Sequence, residues 1–391
     1  MRHTKTFIIF TLLLSIGAVS KSALSQEVRI GLASNFSEVS LSTSNPYGDY
    51  FRKGVNLALK DAEPALKKRG IKIAFDEFDY GTNQLRVTDA AKKAASSSVL
   101  AVLGYNLSPH ALLAAPIHQA AKLAMITPSA TANRLAGMGP YVHMGSFDND
   151  FMGATLARVA NEKVKAKRAA IVVAEDCAYC HDLADAFERD FKASGGEITA
   201  RVGVLESQRD FSEAAKELKK KNTDVILVPN YELVSIRIIS ALIDGGINRP
   251  FLGGDGWGDI GEEFYKVLGG KDLRGFSVSH WHPDLKTKAS ISFSKRFEGA
   301  YHVQANDTAV LAYDSANLLF QAIIKTKNLT REGVEKSLSQ ITHFNGATGT
   351  FRYRSGSAAP EKSIVLLSTN KTRFQVAEVL EPRSVKNRGT K

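Results

Sequence analysis

The chain lacks the residue patterns that mark most catalytic and nucleotide-binding proteins. It has no Gly-x-Ser-x-Gly elbow, no His-Glu-x-x-His and no phosphate-cradling glycine run. A serine hydrolase, a zinc protease and a P-loop enzyme therefore find no support, and an enzyme of any kind is the weaker class. Only 2 of 391 residues are cysteine. No Pro/Gly/Ser-rich linker and no low-complexity segment divides the chain. Lys and Arg number 51 against 40 Asp and Glu, a formal charge of +11. No aromatic-interleaved basic strand accompanies that excess. The charges lie on helix faces such as Lys216-Glu217-Leu218-Lys219-Lys220-Lys221 and read as solvated surface, with no nucleic-acid partner.

Long apolar runs are also missing, except at the start. Arg2, His3 and Lys5 precede the apolar run Phe7 to Ile16, and Ala23-Leu24-Ser25 is a small-x-small site before Gln26. Residues 1–25 are thus expected to be an export signal, since the run is too short for a stable membrane anchor. Cleavage after Ser20 is the alternative, and it leaves Lys21 at the new terminus. No cysteine lies near the site, which argues against lipid anchoring. About 365 residues of roughly +8 charge remain, enough for two ordinary domains, with a basic tail at 383–391.

Short apolar strands alternate with amphipathic helices nearly end to end. Strands are expected at Val28–Ala33, Ile71–Phe78, Ala169–Ala174, Ile198–Leu205, Val225–Val228 and Phe251–Gly253. Helices are expected at Asp49–Glu63, Leu85–Ser97, Asp150–Glu162, Asp182–Ser194, Phe211–Lys221, Leu233–Asp244 and Gly261–Leu268. This is an α/β chain of two doubly wound open-sheet lobes joined by short crossings, split near residues 143–149. Further helices at Ser290–Tyr301, Thr308–Lys325 and Arg331–Leu338 precede an expected terminal hairpin of Gly349–Tyr353 with Ser363–Leu367. Lobe 1 is expected to comprise 26–145 plus 277–343, and lobe 2 146–276 plus 344–382.

Two strand ends carry the chemistry. Val102-Leu103-Gly104-Tyr105-Asn106-Leu107-Ser108-Pro109 runs off a strand into a helix, with Ser108 expected as N-cap and Pro109 at the first helical position. Leu123-Ala124-Met125-Ile126-Thr127-Pro128-Ser129-Ala130-Thr131 does nearly the same about twenty residues on. A right-handed parallel unit brings both turns to one sheet edge. Backbone N–H groups at a helix start attract an anion, and hydroxyls add donors. The guest implied is small and singly charged.

These segments together resemble the type I periplasmic solute-binding proteins, in particular the leucine/isoleucine/valine-binding family of ABC importers, over about residues 27–380. The matching pieces are Val28-Arg29-Ile30-Gly31 with Tyr47-Gly48-Asp49 and Gly54-Val55-Asn56-Leu57-Ala58. The run Met125 to Thr131, Arg209-Asp210-Phe211-Ser212, Gly253-Gly254-Asp255-Gly256-Trp257 and Gly346-Ala347-Thr348-Gly349-Thr350-Phe351 also match. The resemblance implies a periplasmic protein of Venus-flytrap form that captures an amino acid or amide-like molecule and passes it to a membrane permease. It places the α-carboxylate at Ser108, Ser129 and Thr131, with Ala130 between them also expected to contact the ligand. It places the α-ammonium at Asp255, with Tyr231 nearby, and aromatic walls at Tyr47 and Tyr179. Tyr105 and Trp257 add candidate rings. Asn106 and Thr308 stand where apolar or aromatic walls are usual, which suits a polar or amide-bearing guest better than leucine.

Cys177-Ala178-Tyr179-Cys180-His181 opens a helix after a strand. A local disulfide, a redox pair and a c-type haem attachment are all compatible with it, and an exported chain with two cysteines favours the disulfide. His280-Trp281-His282 has no cysteine or carboxylate at metal spacing, so cleft lining or structure is expected and no metal. No cofactor is expected. The rival readings are an exported redox or haem protein using Cys177 and Cys180, and a receptor-like sensor subunit.

Overall fold

The computed structural model describes residues 25–37, 47–81, 83–260, 265, 267–369 and 373–382. The expected export signal up to residue 24, the basic tail at 383–391 and most of the helix expected over Gly261–Leu268 lie outside the described residues.

The first sheet is wholly parallel. Its elements are β1 (Gln26–Ser34), α1 (Tyr47–Lys68), β2 (Ile71–Asp79), α2 (Gln84–Ser96), β3 (Ala101–Gly104), α3 (Ser108–Ala120), β4 (Ala124–Thr127), α4 (Asn133–Ala136) and β5 (Val142–Met144). The strand order is β2-β1-β3-β4-β5. β3, β4 and β5 are buried at every position, as expected of strands covered on both faces. One face packs Ile30, Leu103 and Ile126 against α1; the other packs Val102 and Met125 against α2 and α3.

The second sheet begins after a crossing at residues 145–148. There Ser146 Oγ donates to the Ala130 carbonyl at 2.6 Å, and the Asp148 carboxylate caps the next helix at Phe151 N, 2.9 Å. The elements that follow are α5 (Asn149–Val159), β6 (Arg168–Ala174), α6 (Ala178–Ala193), β7 (Glu197–Val204), α7 (Ser212–Lys219), β8 (Val225–Leu227), α8 (Glu232–Asp244), β9 (Phe251–Gly253) and β10 (Gly275–Ser279). The chain then returns to the first lobe as α9 (Lys288–Tyr301), α10 (Asp307–Lys325) and α11 (Arg331–Ser339), and α10 packs along α1.

The end of the chain departs from the expected hairpin. β11 (His343–Gly346), β12 (Gly349–Tyr353) and β13 (Pro360–Glu361) form a separate small sheet. It sits on the first lobe: Phe344 and Tyr353 join that lobe's core, and the Tyr353 hydroxyl donates to the Met144 carbonyl at 2.8 Å. β14 (Ile364–Thr369) instead pairs antiparallel with both β10 and β15 (Phe374–Leu380), giving the second sheet the order β15-β14-β10-β9-β8-β6-β7. Gly349–Tyr353 and Ile364–Leu367 therefore belong to different sheets. The second crossing follows Ser279 rather than residue 276, and the third falls at 362–363 rather than near 343.

Lys362 is fully buried in that third crossing. Its ammonium donates to Thr348 Oγ1 at 2.7 Å, and Thr348 Oγ1 donates to Asp314 Oδ2 at 2.7 Å. Asp314 also takes the N–H groups of Ala347 and Thr348 at 2.7 and 2.9 Å. Burial pushes the Lys362 amine down to about 8 and the Asp314 carboxyl upward. The relay pins the small sheet to α10 where the chain leaves for the second lobe.

His110, His118 and His143 are buried in the first lobe, and burial lowers each from 6.5 to about 4. The unfolded chain takes up these protons near 6.5 and the folded chain does not until about 4. Stability is therefore full above 6.5 and falls as pH drops through the window. The ceiling is about 1.4 kcal/mol per pH unit for each histidine. Equilibrium denaturation between about pH 7 and about pH 5 should show the fall, and His143→Gln should reduce its slope; an unchanged slope in that variant would remove His143 from the account.

Candidate functional site

A cavity of about 820 Å³ lies between the lobes, where the carboxyl ends of the parallel strands of both sheets converge. That size falls inside the range of roughly 300–1,000 Å³ usual for small-molecule sites. Ser108, Ser129 and Thr131 line it from the first lobe, and Tyr179, Tyr231 and Asp255 from the second.

Ser108 and Ser129 do not cap helices. The N-cap of α3 is Leu107, and Ser108 is already its first residue. The Ser108 hydroxyl instead accepts the N–H groups of Thr131 and Ala132, each at 3.2 Å. Ser129 Oγ donates to the Asn106 carbonyl at 2.8 Å. The two strand-end loops are thus cross-bonded through their serines. The second loop leads only into the four-residue α4. Thr127 Oγ1 completes the lock by donating to the Tyr105 carbonyl at 2.9 Å. Tyr231 reaches this corner from the opposite lobe and lines the cavity with Ser108.

Asp255 faces the corner from the loop after β9. Tyr179 donates its hydroxyl to Oδ1 at 2.8 Å, and His280 Nε2 lies 3.1 Å from Oδ2. The Gly256 N–H donates to the same Tyr179 oxygen at 3.1 Å. A side chain at Gly254 would run into that hydroxyl, which is why this loop carries glycines beside its acid. Tyr179 stacks on Tyr231 with ring centroids 4.7 Å apart, and His280 stacks on Phe147 at 4.0 Å. Burial lowers the His280 imidazole, so the neutral ring donates Nε2–H to the carboxylate.

Three of the expected site residues are core instead. Tyr105 adopts φ 60°, which turns its ring away from the cavity. The ring stacks on Tyr80, and its hydroxyl meets His118 Nε2 at 3.1 Å. Trp257 folds back under its own loop, donates Nε1–H to the Val228 carbonyl at 3.0 Å and fills the space above Gly253. Ala130 is buried in the first-lobe core, and its carbonyl is taken by Ser146. Tyr47, Asn106 and Thr308 do line the cavity.

The sequence did not mark several lining residues: Asn35, Tyr80, Gln84, His110, Glu206, Glu232 and Asp307. His280, expected as cleft lining or structure, lines the cavity. Among the described residues, the lining contains four carboxylates (Glu206, Glu232, Asp255 and Asp307) and no Lys or Arg. Glu206 is raised by burial and then by nearby Asp176.

Cys177 and Cys180 form a disulfide with Cα atoms 5.2 Å apart, at the start of α6. With the bridge formed, neither sulfur is available for a thioether to haem. His181 is occupied as well, with Nε2 3.1 Å from the Glu175 carbonyl. The bridge closes a loop around Tyr179, the ring that holds Asp255. His282 Nδ1 accepts the Asp284 N–H at 3.1 Å, and Trp281 donates to Ser290 Oγ at 2.7 Å, so that cluster is structural apart from His280.

A family model described as periplasmic binding protein matches residues 27–372, nearly the whole described chain. The chain belongs to the periplasmic binding protein family. This is a family of solute-binding proteins rather than enzymes. The chain is 27% identical over 216 residues to a Leu/Ile/Val-binding protein of Citrobacter freundii, covering 55% of this chain and 58% of that one. It is 26% identical over 245 residues to a Leu/Ile/Val-binding protein of Escherichia coli K12, covering 62% and 65%. These matches thus span about three-fifths of the relatives' own length. Among solved structures, the leucine binding protein LivK of Thermotoga maritima superposes with a TM-score of 0.81 at 23% identity, over 91% of this chain and 99% of that one. LivJ of Streptococcus pneumoniae in complex with isoleucine gives 0.80 at 25% identity, over 91% and 100%. A solute binding protein of an ABC transporter from R. palustris, in complex with 4-hydroxybenzoate, gives 0.79 at 20% identity, over 91% and 97%. The fold is therefore that of the type I periplasmic binding proteins. No helix among the described residues is long and apolar enough to cross a membrane.

Closing so short a loop stabilises the fold by only about 2 kcal/mol on the chain-entropy scale. The double variant Cys177→Ser, Cys180→Ser is thus expected to fold. It should lose hydrogen-exchange protection at the start of α6 and at Gly256 together, because Tyr179 links the two. Loss at α6 alone would show that the disulfide does not position the Asp255 loop.

Proposed function

We propose that the chain is the substrate-binding component of an ABC importer, capturing an amino acid or related small polar molecule in the inter-lobe cleft and delivering it to a membrane permease. The observation that carries this reading is the pairing, across one cavity, of the Ser108/Ser129/Thr131 corner with the carboxylate of Asp255. A zwitterion needs an anion corner and a separate acceptor, and a desolvated cleft strengthens both contacts. The guest's carboxylate takes a hydrogen bond from the Ser108 hydroxyl, beside Tyr231, and its ammonium meets Asp255. The relatives named for leucine, isoleucine and valine support the amino-acid class. Four acids without a Lys or Arg oppose a purely anionic guest of the hydroxybenzoate kind.

The export signal and the periplasmic location belong to this same reading, as do the permease and the closing of the lobes. Contacts already tie the lobes beside the cleft: the Asn133 N–H donates to Asp182 at 3.1 Å, and its amide to Asp150 at 3.2 Å. A guest that touches both lobes favours the closed form by differential contact.

Asp255→Ala should weaken amino-acid binding by about 2–5 kcal/mol, the usual cost of removing one partner of a desolvated charge pair. Asp244→Ala is the control, since Asp244 is exposed and pairs only with Lys271 at 2.9 Å. Titration calorimetry with the amino acid found bound by native mass spectrometry measures both. Equal affinities for the two variants would take Asp255 out of the site.

A further inference from the structure

The first-lobe wall of the cavity is polar where a branched-chain guest would need it apolar. Asn35 follows β1, Tyr80 follows β2, Asn106 follows β3, and His110 lies in the first turn of α3. The strand order β2-β1-β3-β4-β5 puts the serine corner between β3 and β4. The polar wall runs the other way, from β3 across β1 to β2. Two strand spacings amount to about 10 Å. A guest anchored at the corner therefore has a second, polar end of the cavity to fill.

The hydrogen bonds of that wall show what it lacks. Asn106 is 7% exposed, and its Oδ1 has no partner. Its amide is oriented through Ser34. Ser34 donates its hydroxyl hydrogen to Asn35 Oδ1 at 3.3 Å, so it accepts the Asn106 NH₂ at 3.4 Å. The carbonyl oxygen is what remains. His110 Nδ1 is likewise buried without a partner, and so is His280 Nδ1 across the cleft. Burial keeps both imidazoles neutral, so each offers a bare nitrogen in one tautomer. Glu206 adds a half-buried carboxylate to the lining. Asn106 Oδ1 and His280 Nδ1 are thus unmet acceptors, His110 Nδ1 is a third in its Nε2–H tautomer, and no Lys or Arg is among the described lining residues to serve them.

We infer that the distal end of the guest is a nitrogen donor (an amide, urea, amidine or guanidinium group) that meets the free carbonyl oxygen of Asn106. This rests on the amino-acid reading given above for the other end. An alkyl end would leave a buried acceptor unpaired, and a carboxylate end would meet the lining carboxylates with no Lys or Arg to offset them.

The test is calorimetry on the mature chain, refolded to remove cargo, with glutamine, citrulline, arginine, glutamate, leucine and norleucine, and with acetamide, urea and guanidinium alone. Glutamine, citrulline or arginine should bind about 10- to 100-fold tighter than leucine and glutamate, the worth of one buried hydrogen bond. Asn106→Leu should close that gap, and Asn106→Asp, which keeps the acceptor, should preserve it. Leucine, norleucine or glutamate binding tightest would overturn the inference while leaving the amino-acid reading intact. Binding of acetamide, urea or guanidinium with no response to any amino acid would overturn that reading and keep the donor end. Silence from the whole panel would overturn both.

Discussion

A carboxylate in a closing cleft must be held before it can hold anything else. Asp255 is mostly buried, and its two oxygens are engaged by Tyr179 from α6 and by His280 from the second crossing. An ionised carboxylate left unpaired in such a place costs several kcal/mol, so these two partners set the geometry of the whole second-lobe wall. Tyr179 is fixed in turn by the disulfide around it, by the Gly256 N–H and by its stack on Tyr231. His280 is fixed by Phe147, which belongs to the first crossing. The acid is thereby coupled to two of the three places where the chain passes between lobes. On the proposed function, a change in lobe angle would move the groups that hold Asp255, and occupancy there would bias the lobe angle.

The opposite wall is built by a different device. No charge stands at the serine corner. Loop meets loop through Ser108, Thr127 and Ser129, each bonded to the backbone of the neighbouring turn. Such a corner is rigid without being charged. It can take an anion by exchanging hydrogen bonds and does not require a cation to be desolvated in the empty state. The division of labour suits a zwitterion, with neutral donors for one end and a fixed acid for the other.

Much of this was legible in the sequence because parallel α/β sheets put their chemistry at strand ends. The apolar runs Ala101–Gly104 and Ala124–Thr127 announced two strands, and the polar turns after them had to share an edge. Residue types marked the serine corner, Asp255, Asn106 and Thr308. Side-chain direction was not legible. Tyr105 and Tyr80 are both tyrosines at strand ends, and only the left-handed backbone at Tyr105 decides which faces the cavity. Trp257 beside an acid reads as a ring for the guest, yet the glycine at 253 leaves it room to fold beneath the loop. The small sheet was missed because β12 pairs with a two-residue strand beyond a turn, while β14, just after it, pairs with β10 nearly ninety residues earlier. Pairings of that range leave no periodicity in the sequence.

The family resemblance and the local chemistry speak to different questions, and the cavity shows why they should be kept apart. Relatives at about a quarter identity place the chain in a family, and that alone does not fix the guest. What distinguishes one guest from another is the wall beyond, where single side chains decide. Here that wall gives Asn35, Asn106 and His110 in place of a hydrocarbon surface. Burying these groups against a leucine would strand the Asn106 oxygen, at a cost of about 1–3 kcal/mol that binding would have to overcome. A chain can thus keep the fold and the head-group site of a branched-chain amino-acid carrier while its wall selects against the branched chain itself. The backbone fixes where a guest is gripped; a few buried, unmet acceptors fix what that guest must bring.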